Sequence, residues 1–110
     1  SRLWRRIHRR DKMGNILAVE LHAGDVVRVR LRGSFARLGS APLLRRLRRA
    51  LERTPNPMLL DLTHLVHAEQ GAMEGLAESL REHRDRIRVV MPRVGNVAAL
   101  AAVFATVQPV

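Results

Sequence analysis

The apolar positions of this chain keep two different periods, and the switch between them limits the fold more than any other feature. Leu17, Val19 and Leu21 alternate with other residues, and alternation resumes at Val27, Val29 and Leu31 after the turn-forming His22-Ala23-Gly24-Asp25. A period of two predicts strands with one buried face, and the short turn predicts an antiparallel hairpin over residues 15–33. Arg28, Arg30 and Arg32 then stand in a row on the opposite side, and Gly33 closes the second strand. A solvated sheet face is the plain reading of that row.

From Ser40 the period becomes helical. Ser40 offers a hydroxyl cap and Pro42 suits a first turn. Leu43, Leu44, Leu47, Ala50 and Leu51 make the apolar stripe, and Arg45, Arg46, Arg48, Arg49 and Arg53 cover the rest. Thr54-Pro55-Asn56-Pro57 stops this helix. Met58–Leu62 is a short, nearly continuous apolar run, as expected of a parallel strand buried on both faces. A second helix is predicted from Glu69 to Arg84 with Met73, Leu76, Ala77 and Leu80 inward and Glu74, Glu78 and Glu82 outward. Glu82 stands four residues before Arg86, a favourable helical pairing. Residues 87–91 read as a strand ended by Pro92. Asn96 is placed to cap a third helix with Val97, Leu100, Ala101 and Phe104 on its core face. The order β-β-α-β-α-β-α predicts an α/β fold. Its one mixed sheet is an antiparallel hairpin followed by parallel crossovers, with the helices on one face.

Composition decides what such a domain can do. One hundred and ten residues suffice for one domain with one core. The absence of cysteine excludes disulfides, thiolate zinc sites and cysteine nucleophiles. Twenty basic against ten acidic residues give +10, and Lys12 is the only lysine. That excess predicts attraction to an anionic partner. Trp4, Phe35 and Phe104 are the only aromatics, too few for a base-stacking platform. The arginines of the first helix surround its apolar stripe and bring no Asn or Gln to read bases, which argues against nucleic acid. No apolar run approaches the ~18 residues of a membrane span.

Residues 1–14 form a basic leader. Arg2, Arg5, Arg6, Arg9, Arg10 and Lys12 oppose only Asp11, while Leu3, Trp4 and Ile7 fall at helical spacing. Two readings stay open: an amphipathic segment on an anionic membrane, through Arg5, Arg6, Arg9 and Arg10, or a solvated terminus. The chain opens on Ser1 rather than Met, which fits a piece of a longer protein.

From Asn15 to Val110 the chain resembles the STAS domain, the fold shared by sulfate transporters and anti-sigma factor antagonists. The residues that carry the likeness are Val27-x-Val29-x-Leu31-x-Gly33, the Leu44/Leu47/Leu51 helix, and Leu60-Asp61-Leu62-Thr63. Family members often have an Asp-Leu-Ser strand end at this last position. They then carry Asp-Ser-Ser/Thr-Gly-Leu at the start of the second helix, where this chain has Glu69-Gln70-Gly71-Ala72-Met73. The resemblance implies a non-catalytic regulatory domain whose partner surface comprises Thr63, His64, Glu69, Gln70, Gly71, Ala72 and Met73. In phospho-switched members the first serine of the motif accepts phosphate. Gln70 stands there and has no hydroxyl to modify, so the electrostatic switch a phosphate would supply is missing. The implied role is therefore the cytoplasmic C-terminal module of a sulfate-transporter-like anion permease, at the inner face of the plasma membrane. Its partner would be a protein or the permease's own membrane domain. The alternative is a free-standing antagonist that binds a switch kinase or anti-sigma factor.

The remaining constellations give no chemistry. His64 and His67 read as loop residues without a third ligand, so no metal site is expected. Asp61 reads as a buried structural carboxylate. Gly71 and Gly75 lack the Lys-Ser/Thr of a phosphate loop, and no cofactor is expected. No nucleophile–base arrangement stands out, and no catalytic residue is assigned. Residues 94–110 bear no charged side chain. A helix continuing to the end would leave Ala99, Val103 and Val107 on its outer side, an apolar patch suited to another domain or to homodimer contact.

Overall fold

The computed structural model of the chain describes residues 5–10 and 16–109, and the side chains of 17–109. The elements run β1 (Arg5–Arg10), β2 (Ile16–His22), β3 (Val27–Phe35), α1 (Ala41–Arg53), β4 (Met58–Ala68), α2 (Gln70–Leu80), a 3-10 helix (Arg81–Arg86), β5 (Ile87–Val90), α3 (Ala98–Val103) and β6 (Ala105–Val107). They build the expected mixed sheet, with the strands side by side in chain order. β1–β2 and β2–β3 are antiparallel, and the pairs β3–β4, β4–β5 and β5–β6 are parallel. Because the parallel strands are added in one direction, right-handed crossovers put every helix on the same face.

That face holds the core. Val27, Val29 and Leu31 of β3 are buried while Arg28 and Arg32 are exposed. Leu43, Leu47 and Leu51 of α1 and Met73, Leu76, Ala77 and Leu80 of α2 pack onto this side as their spacing predicts. On the opposite, uncovered face, charges are laddered across strands. Glu20 is buried and sits beside Arg32, whose Nε donates to Glu20 Oε1 at 3.3 Å. Arg30 lies 3.7 Å from Glu20 and 3.9 Å from Asp61. The arginine row is thus partly neutralised by its neighbours in register.

Several elements differ from the sequence expectations. Leu3 and Trp4 of the leader lie outside the described residues, but Arg5–Arg10 form a strand rather than a helical segment. The strand pairs with β2 from Arg5↔Leu21 to Arg10↔Ile16, and backbone pairing overrides the helical spacing. β4 is not buried on both faces: Leu59 and Asp61 are half-buried. It also runs to Ala68, so His64 and His67 are exposed strand residues, not loop residues. Two register shifts against β3, at Arg30/Arg32 and Gly33/Ser34, each give β4 an extra residue. Its buried side chains therefore pass from alternation at Met58, Leu60 and Leu62 to three-residue steps at Leu65 and Ala68.

The second helix ends as α-helix at Leu80 and tightens into the 3-10 helix. Arg86 does not pair with Glu82. Its guanidinium donates to Leu51 O at 2.5 Å, Thr54 O at 2.6 Å and Asn56 O at 3.1 Å, and so caps the C-terminal end of α1. Ser40 Oγ does not cap α1 but donates to Arg37 O at 2.6 Å, closing the preceding turn. Asn96 does act at its helix start, accepting from Ala98 N at 2.9 Å. That third helix stops at Val103, and Phe104 leads into β6. Ala101 is exposed rather than in the core. Ala99 and Val103 pack partly buried against the core, and Val107 lies exposed on the last strand. The three do not form one helix face.

Candidate functional site

Three connections converge where β3, β4 and β5 reach their carboxyl ends. The first is the turn 36–40 between β3 and α1. The second is the one-residue junction Glu69 between β4 and α2, and the third is residues 91–97 between β5 and α3. Glu69 N–H donates to Phe35 O at 2.9 Å, and Glu69 Oε1 accepts from Arg37 N at 3.2 Å. The glutamate side chain therefore ties the β3–α1 turn to the start of α2 rather than capping its own helix. The Arg37 side chain packs over Gly71, where a Cβ would stand 3.1 Å from its Cδ. Gly95, at φ +82°, brings the third connection onto β4, where a Cβ would meet Ala68 O at 3.0 Å.

This rim carries two of the three large apolar side chains that stand exposed among the described residues. Leu38 of the β3–α1 turn is 55 % exposed and Val66 near the end of β4 is 75 % exposed. Exposed His64 and His67 flank Val66 along β4, and Glu69 and Gln70 are exposed at the start of α2. At the carboxyl edge of the sheet these two apolar side chains stand among polar ones.

The expected partner residues divide accordingly. His64, Glu69 and Gln70 are exposed, Gly71 is half-buried, and Ala72 and Met73 are buried in the core, so those last two offer nothing to a partner. Thr63 is half-buried, its hydroxyl donating to Asp61 Oδ1 at 2.6 Å and its N–H donating to the same oxygen at 2.9 Å. Asp61 accepts both of these hydrogen bonds and is half-buried, where full burial was expected. Sequence reasoning missed Leu38 and Val66. Leu38 belongs to no period, and Val66 occupies a β4 position whose side is set only by the register shifts.

Among the described residues no three His, Asp or Glu side chains group as metal ligands, and no helix is long and apolar enough to cross a membrane. Among the described residues the strands lie in chain order from β1 to β6 without reversal. No protein-family model matches the chain, and no curated protein matches it. A mixed sheet with helices on one face is shared by many small α/β domains, so fold alone does not assign a family or a function.

Proposed function

We propose that this domain is a non-catalytic, STAS-like docking module. It engages a protein through the rim formed by Leu38, Val66 and the first turn of α2. The observation that carries the reading is the exposure of Leu38, next to Arg37 in the β3–α1 turn, and of Val66, three residues before Glu69, at the end of the sheet where Glu69 is hydrogen-bonded to Arg37. Burying two such side chains contributes about 1.5–3 kcal/mol each, enough to anchor a transient partner. Gln70 carries no hydroxyl, so the surface is read as permanently presented rather than switched by phosphate on that residue.

The resemblance in Val27–Gly33, Leu60–Thr63 and the helix between them favours one setting. That is the cytoplasmic module of a sulfate-transporter-like anion permease, whose own membrane domain or a cytosolic protein is the partner. Apolar, membrane-length segments encoded upstream in the parent reading frame are the expected finding. Their absence would favour the free-standing antagonist.

The docking surface is tested by Leu38→Asp/Val66→Asp in the full-length protein. Both side chains are exposed, so the domain keeps its melting temperature within a few degrees. Association with its partner, read by co-purification, falls at least about tenfold. Unchanged association with a folded variant would refute the surface.

A further inference from the structure

A second stretch of surface, on the far side of α1 from α2, has a different chemistry. Pro42, Arg45, Arg46, Arg49, Ala50 and Arg53 recur at three- and four-residue steps and form one lengthwise stripe of α1. With Leu21, Ala23 and Val27 of the β2–β3 hairpin they line an open groove of about 750 Å³. Of the apolar lining, Ala23 is exposed, Leu21, Pro42 and Ala50 are half-buried and Val27 lies buried beneath them, while the helix wall carries four guanidinium groups. No carboxylate lines the groove; Glu52, exposed on α1, is the only acid of that helix. Other arginines are committed, Arg30 and Arg32 to Glu20 and Arg86 to the carbonyls below α1. Arg45, Arg46, Arg49 and Arg53 make no ion pair or hydrogen bond among the described residues. Beyond the groove the sheet continues into β1, where Arg5 stands in register with Leu21 and arginines occupy four of six positions.

We propose that this groove is a membrane-contact site that seats anionic phospholipid headgroups. An apolar strip with cations along α1 and a basic strand beyond it is the arrangement that interfacial binding selects. Guanidinium forks take the phosphates, and the strip meets the glycerol and upper acyl region. Nucleic acid would leave the apolar side chains unused, and the lining holds no Asn, Gln or aromatic side chain to contact bases. The site stands apart from the docking rim and does not depend on it.

The test is co-sedimentation of the full chain with phosphatidylcholine vesicles, with and without phosphatidylglycerol. The chain pellets with the anionic vesicles only and is released by salt. Arg45→Gln/Arg46→Gln/Arg49→Gln/Arg53→Gln weakens binding at least roughly tenfold. Arg28→Gln/Arg81→Gln/Arg84→Gln/Arg88→Gln removes the same charge elsewhere on the exposed surface and retains most of it. Ala23→Asp, an exposed turn position in the lining, weakens binding without altering the circular dichroism spectrum. Equal losses in the two arginine variants would reduce the effect to net charge and overturn the site. Release by charge-matched glycerol phosphate would overturn it for a soluble phosphoester. Tighter groove-dependent binding to duplex DNA or polyglutamate would overturn it for nucleic acid or an acidic protein.

Discussion

Single side chains hold this fold together where its elements would otherwise part. Arg86 reaches from the end of the 3-10 helix to three carbonyls at and beyond the end of α1. Hydrogen bonds from a charged donor contribute about 1.5–3 kcal/mol net, and their loss strands acceptors that are partly shielded from water. Arg86→Met is therefore expected to lower stability by about 2–3 kcal/mol in urea denaturation. Arg84→Met, at an exposed neighbour that bonds only to Arg81 O, should change it by less than about 0.5 kcal/mol. Equal effects would show that the α1 cap contributes nothing. Glu69 plays the matching role at the other end of the sheet, where its carboxylate and backbone fix the docking rim. The family resemblance, not periodicity, pointed to Glu69 and Gln70, which align with its motif at the start of the second helix. Helical spacing paired Arg86 with Glu82 four residues before it, whereas the real partners lie thirty to thirty-five residues away.

At the scale of elements, those with a single period were legible and those shaped by pairing were not. The hairpin and the faces of α1 and α2 followed from spacing because one side of each meets the core. β1 was hidden because an edge strand needs no buried alternation of its own. The far half of β4 was hidden because two bulges change its parity at Leu62–Leu65 and again before Ala68. β6 was hidden because Ala105-Thr106-Val107 prolongs the uncharged composition of α3. What ends that helix is the pairing of Arg88–Val90 with Ala105–Val107. Two substitutions check this scale. Leu47→Ala removes a fully buried side chain of α1 and should cost about 2–5 kcal/mol. Val103→Glu puts a carboxylate where the side chain packs partly against the core, so it should destabilise the monomer by about 1–3 kcal/mol. Lost self-association with unchanged stability would instead place Val103 on a free outer face.

For the whole molecule, two surfaces stand at different places on the fold. The rim proposed for docking lies at the carboxyl ends of the parallel strands, and the arginine groove runs along α1 beside the β2–β3 hairpin. On the proposed reading, the domain lies against an anionic surface through the groove and presents the rim to a protein. Site-specific photo-crosslinking of the full-length protein tests this central claim most directly. A photoreactive residue would be placed in turn at positions 38, 66, 70, 84 and 88. A discrete protein adduct is expected from positions 38, 66 and 70 and none from 84 and 88. Adducts of equal yield from all five positions, or from 84 and 88 alone, would contradict that claim.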